Sequence, residues 1–152
     1  MRLRHVIAAS SLALLAASCS LGDAVDAGSI NVFVEVNDSQ LTVGEETITI
    51  TVTARNVGYD PLQLTGPSDC LVYVEIFNSQ DSLVWTSNQS STCLGATVTE
   101  DVAAGQAKVQ SFPWSGTNIA GAGLPPGLYL VRGVARTTGT SSIGPPLTVA
   151  LD

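Results

Sequence analysis

The chain has 152 residues, of which 45% are hydrophobic and only 12% charged, with 13 acidic against 6 basic side chains for a net charge of −7. That balance excludes a nucleic-acid binder and a protein drawn to anionic lipid by its charge, because both need a basic patch. The length suits one ordinary domain with a real hydrophobic core, even after a leader is removed.

Arg2 and Arg4 open the chain, and residues 6–17 follow as a nearly unbroken run of Val, Ile, Ala and Leu, interrupted only by Ser10 and Ser11. A positive start, a short apolar stretch and small residues at its end read as a secretory signal peptide over residues 1–18. A membrane-spanning helix needs about 20 apolar residues to cross roughly 30 Å of hydrocarbon, so this run is an address and not an anchor. It ends in Leu15-Ala16-Ala17-Ser18-Cys19, which resembles the lipobox of bacterial lipoproteins. The resemblance implies cleavage before Cys19, acylation of that cysteine and attachment to the bacterial membrane by the lipid. Ser20 stands where an inner-membrane retention signal of some Gram-negative bacteria has Asp, which favours the outer membrane where there is one. Ordinary signal-peptidase cleavage after Ser18 is the alternative, since Ala16 and Ser18 also satisfy the small-residue rule.

Loss of Arg2 and Arg4 with the leader takes the formal balance from −7 to −9. The acidic residues are scattered, as in Glu45-Glu46 and Glu100-Asp101, and read as a solvated surface more than as an acidic docking site. If Cys19 carries lipid, Cys70 and Cys93 are left as one pair in an oxidising compartment. A bridge closing a loop of about 24 residues contributes roughly 3 to 3.5 kcal/mol by the chain-entropy relation, and two free thiols are the alternative.

From Cys19 to residue 29 the chain is small, polar and Gly-containing, with Leu21 and Val25 its only larger apolar side chains. This reads as a tether, spanning roughly 15–20 Å as a random coil. From residue 30 to 152 the pattern has period two. Ile30, Val32, Val34 and Val36 alternate with their neighbours, and residues 47–54 set threonine on one face against aliphatic side chains on the other, as in a half-buried strand. Further strands are predicted at 71–77, 83–86, 107–112 and 128–136, with weaker ones at 62–65, 96–101 and 147–151, and no sustained helical period intervenes. Turn residues separate them: Asn37-Asp38-Ser39, Gly58-Tyr59-Asp60-Pro61, Thr65-Gly66-Pro67, Asn78-Ser79-Gln80-Asp81, Ala104-Gly105 and Pro125-Pro126-Gly127. About seven to nine short strands at this spacing predict an all-β domain, an immunoglobulin-like antiparallel β-sandwich, with a small β-barrel as the alternative. The cysteines are too close in sequence for a bridge through the core between sheets. They predict a clamp near strand ends, over the Trp85 hairpin and the loop that follows it.

One constellation adds a family. Leu83-Val84-Trp85, Val102-Ala103-Ala104-Gly105, Phe112-Pro113-Trp114 and Leu124-Pro125-Pro126-Gly127-Leu128-Tyr129 occur in that order. Together they resemble the intracellular proteinase inhibitor family of the Bacillus subtilis type (BsuPI-like), a small immunoglobulin-like sandwich, over roughly residues 48–136. The resemblance implies a sandwich and a protein partner, with a protease as the target class, and it carries no reactive-site residue. Trp85, Gly105, Trp114, Pro126, Gly127 and Tyr129 each have a structural role to fill. Trp85 is a core or sheet-covering aromatic. Trp114 follows Pro113, which suits a strand end or edge. Tyr129 packs its ring inward while its hydroxyl bonds backbone at a sheet corner.

His5 is the only histidine and leaves with the leader, which removes histidine triads, Cys–His dyads and His-ligated zinc from the mature chain. Lys108, the only lysine, and Ser111 fall on opposite faces of an alternating strand, so a Ser–Lys dyad does not form. No carboxylate pair suits glycoside hydrolysis and no loop is dense enough in oxygen ligands for calcium, so no catalytic residue, metal or cofactor is implied. The expectation is a non-catalytic binding module, tethered outside the cytoplasm, that presents loops such as 88–94 and 115–124 to a protein partner. A structural or assembly module of the envelope is the alternative.

Overall fold

The computed structural model describes residues 29–89 and 93–152. Eleven strands fill it: β1 (Ile30–Val36), β2 (Gln40–Leu41), β3 (Ile48–Asn56), β4 (Leu62–Pro67), β5 (Val72–Phe77), β6 (Leu83–Thr86), β7 (Thr97–Val102), β8 (Ala107–Trp114), β9 (Gly127–Thr137), β10 (Thr140–Ile143) and β11 (Leu147–Leu151). They form two sheets packed as a sandwich, with no closed barrel and no helix among the described residues.

The smaller sheet is β1-β3-β8, antiparallel throughout. The alternation in β3 sets its phase: Ile48, Ile50, Val52 and Ala54 are buried, while Thr49, Thr51 and Thr53 lie on the outer face. Opposite them, β1 turns Val32 and Val34 inward and β8 contributes Phe112 and Trp114. The larger sheet is organised by the long strand β9, whose first half pairs with β11 and whose second half pairs with β10 along one edge. Its other edge pairs with β5 and, at Thr137, with Leu64 of β4. β6 extends β5, β7 extends β4, and β2 runs parallel to β11. After β1 the chain turns at Asn37-Asp38-Ser39 and crosses to the edge of the second sheet, so one N-terminal segment serves both layers.

The sheets approach closely over Gly133. A Cβ there would stand 2.7 Å from Val34 Cγ2 and 2.9 Å from Val52 Cγ1, so the missing side chain is what admits the opposing valines. The core is aliphatic, with Leu64, Leu71, Val72, Val74, Ile76, Val131 and Val149 excluded from water.

Two short strands, β2 and β10, raise the count above the seven to nine expected. Thr65-Gly66-Pro67, expected as a turn, instead completes β4 and pairs with β7 through Val98 and Thr97. The Arg136 side chain lies across Gly66, where a Cβ would meet its Cδ at 2.6 Å. Pro67 is tolerated because it is the last residue of its strand.

Strand directions give the sandwich two distinct ends. One carries Ser29, the turn at 57–61, the turn at 103–106 and the β9–β10 turn at Thr138 and Gly139. Asn56 fixes this end: it is fully buried, donates to the carbonyls of Asp60 and Val102, and accepts from the Gly58 amide. The other end carries the turns at 37–39, 42–47 and 78–82, the segment 115–126, and Asp152.

Candidate functional site

The residues singled out by sequence separate into groups. Cys19 and the segments 1–18 and 19–28 lie outside the described residues. Cys70 and Cys93 form a disulfide with Cα atoms 5.5 Å apart. Cys70 immediately precedes β5 and is buried, and the bridge holds the chain after β6 beside the start of β5 within the same layer. It is a clamp near strand ends, not a pin through the core. The Asp69 carboxylate supports it by accepting from the amides of Leu94 and Gly95. The disulfide is compatible with an extracytoplasmic location.

Trp85, Trp114 and Tyr129 meet. Trp114 has its ring centroid 6.3 Å from Trp85 and 6.3 Å from Tyr129, the latter edge-on. Trp114 comes from the smaller sheet and the other two from the larger, so this trio joins the layers at one end. Two of its polar atoms hold loop carbonyls: Trp114 Nε1 donates to the Thr117 carbonyl at 2.9 Å and Tyr129 Oη to the Pro125 carbonyl at 2.8 Å. Burial raises the Tyr129 hydroxyl pKa. Pro126 and Gly127 are exposed at the entry to β9, beside this cluster. Gly105 is remote, in the β7–β8 turn at the opposite end, with φ 76° and its amide bonded to the Asn56 carbonyl.

The aromatic trio organises the segment 115–124. Thr117 bridges Gly123, Leu124 bonds back to Gly116, and the Asn118 side chain accepts from the amides of Ala120 and Ala122. The Ile119 amide donates to Val84, which seats the segment along β6 and leaves the Ile119 side chain 52% exposed.

Beside it lies a surface that the sequence reading missed. On the outer face of the larger sheet Leu83 pairs with Phe77, Phe77 with Leu130, and Leu128 lies one pleat away opposite Ala150. Leu83 and Leu128 are 44% and 63% exposed, and Phe77 and Leu130 are half-buried. Arg132 stacks over Phe77 at 4.4 Å while bonding Asp81 at 3.0 Å, which puts a cation at the border of the patch. The available signal was loss of alternation: Leu128-Tyr129-Leu130-Val131 is apolar on both faces where a half-wet strand should not be.

Chemically, the described residues hold no group of three His, Cys, Asp or Glu side chains able to bind a metal ion. Lys108 is bonded to Glu100 at 2.7 Å, and Ser111, on the opposite face of β8, to Thr51. Among the described residues no helix is long and apolar enough to cross a membrane.

Searches against protein families and against curated proteins found no match. Similar solved structures include a β-glucosidase from Erythrobacter marinus, with a TM-score of 0.51, 13% identity, and coverage of 82% of this chain and 15% of that one. The DNA glycosylase AlkC from Pseudomonas fluorescens has a TM-score of 0.51 and 15% identity, covering 81% of this chain and 30% of that one. Dimeric latent PorU from Porphyromonas gingivalis has a TM-score of 0.50 and 16% identity, covering 80% and 9%. The chain thus spans under a third of the length of each of these proteins, and at such identities the likeness is one of fold alone.

Proposed function

We propose that the mature chain is a non-catalytic binding module of the bacterial envelope, anchored by a lipid on Cys19, that docks a protein through the outer face of its larger sheet. The observation that carries this reading is the apolar patch of Phe77, Leu83, Leu128 and Leu130, adjoining Ile119. Leucines this exposed, grouped around a half-buried aromatic ring and bordered by a cation, fit an interface centre with a polar rim. The ordered segment 115–124 makes one wall of that surface and presents it without a folding cost on binding. The patch borders the end of the sandwich furthest from Ser29, where a partner is reached clear of the anchor. The resemblance to the proteinase inhibitor family makes an envelope protease the first target class to examine.

The test is isolation of the native lipoprotein from its own envelope, alongside a Leu83→Asp, Leu128→Asp chain. The expected result is a stoichiometric protein partner with the native chain that is absent with the variant. A partner that is a protease slowed by the purified domain supports the inhibitor reading. One that belongs to an envelope assembly supports the structural alternative, and a partner held equally by the variant removes the patch from either. Cys19→Ala is expected to move the chain from the detergent-extracted membrane fraction to the soluble one. Its retention in the membrane fraction would contradict the lipid anchor.

A further inference from the structure

The end of the sandwich that receives the N-terminal segment presents a groove with an exposed tyrosine beside it. Ser29 lines an open groove of about 850 Å³, with Tyr59 and Pro61 on one wall and Thr138, Ser141 and Ile143 on the other. Large apolar or amphipathic side chains stand out here among polar ones such as Gln63 and Gln106: Tyr59 is 99% exposed, Ile143 60% and Val57 45%. Tyr59 is held out by a rigid base, since Asn56 bonds both Gly58 and Asp60 on either side of it. Hydroxyls surround these side chains, and the charges near this end balance, with Arg55 and the half-buried Arg136 against the exposed Asp60 and Asp101.

The opposite end is acidic. Asp38, Glu45, Glu46 and Asp152 stand there outside the two ion pairs of the described residues, Lys108–Glu100 and Arg132–Asp81. Unbalanced acidic charge thus gathers at the end opposite the one where the chain leaves for Cys19.

From these observations we infer that the groove end rests on the surface of the membrane, with Tyr59 and Ile143 seated among the headgroups of uncharged or zwitterionic lipid. The inference rests on the lipid anchor at Cys19. Nine residues lie between Cys19 and Ser29, and the ten Cα–Cα steps reach at most about 36 Å fully stretched, so this end is presented to the bilayer at high effective concentration. A tyrosine presents an apolar ring and a polar tip, the pairing that favours the headgroup layer, and Ile143 adds apolar area. Threonine and serine hydroxyls suit phosphate and glycerol oxygens. No excess of basic residues draws this end to anionic lipid, so the contact does not depend on salt. The acidic end points away, toward water.

The test uses the full lipidated chain carrying Tyr59→Trp, compared with the unsubstituted chain and with Ile119→Trp at the far end. Each is reconstituted on phosphatidylcholine vesicles, either plain or brominated near the headgroup end of the acyl chains, and floated before measurement. The Tyr59→Trp chain is expected to lose most of its added indole emission on brominated vesicles, at low and high salt alike, while the Ile119→Trp chain loses none. Flotation without quenching of the Tyr59→Trp chain would overturn the inferred contact and leave the anchor intact. Equal quenching of both variants would overturn the end-on orientation. Failure of all three chains to float would overturn the anchor and the contact that rests on it.

Discussion

Trp114 and Tyr129 come from different sheets and meet edge-on, with ring planes at 66°, and each then uses its polar atom to hold a neighbouring loop carbonyl. The pair closes one end of the core and fixes the segment 115–126 at the same time. In Tyr129→Phe the ring contact survives and the hydroxyl bond to Pro125 is lost. The expected cost is about 0.5–1.5 kcal/mol in urea unfolding, with amide exchange accelerated in residues 115–126 before the strands. An unchanged exchange pattern there would mean that the segment holds itself.

The Cys70–Cys93 bridge spans 23 residues of sequence within one layer. It constrains the unfolded chain more than it supports the core, so a Cys70→Ala, Cys93→Ala chain should fold and lose about 3 kcal/mol in denaturant unfolding. Cys70 is fully buried, so part of that loss reflects the space left by its sulfur. A chain that fails to fold without the bridge would show that the core is weaker than its burial indicates.

Gly133 is where the layers come closest. Gly133→Ala places a methyl against Val34 and Val52, and overpacking of this kind costs about 1–3 kcal/mol. Adding Val34→Ala to the same chain should recover part of the loss, read as a partial return of the urea midpoint. Strict additivity of the two effects would contradict the contact.

Glu75 lies on the outer face of β5. Burial raises its carboxyl pKa above the ordinary 4.5, and Arg132 and Arg136 oppose the shift without cancelling it. The native state therefore holds a proton that the unfolded chain releases. The associated stability is fully present below the unfolded value and is lost as pH rises through the folded one. Glu75→Gln should remove this fall, so that thermal melting of the variant exceeds that of the native chain at neutral pH and the difference closes below pH 4.5. A variant less stable at neutral pH would mean that the arginines outweigh desolvation.

The strands most legible in the sequence are those with one wet face. In β3, threonines alternate with Ile and Val, and that phase is the burial phase. The strands at 30–36 and 107–112 were legible for the same reason, and those at 71–77, 83–86 and 128–136 as apolar runs bounded by turn residues. β2 was not, because two residues carry no period. Neither was β10, since Thr140-Ser141-Ser142-Ile143 is polar on both faces and becomes a strand only because Gly139, at φ 85°, folds it back on β9. Gly66-Pro67 was misread as a turn because its extension of β4 depends on pairing with Val98 and Thr97, residues distant in sequence. The aromatic trio was legible residue by residue, down to the inward ring and backbone-bonded hydroxyl of Tyr129. The patch was not, because Leu83, Phe77 and Leu130 become neighbours only through the pairing of three strands.

Site-specific photocross-linking in intact cells tests the proposed docking face most directly. A benzophenone side chain replaces Leu128 in the full-length chain, and a second chain carries it at Thr49 on the outer face of the smaller sheet. The expected result is one discrete protein adduct from position 128 and none from position 49. Absence of an adduct at 128, or the same adducts at both positions, would contradict a binding module that uses this face.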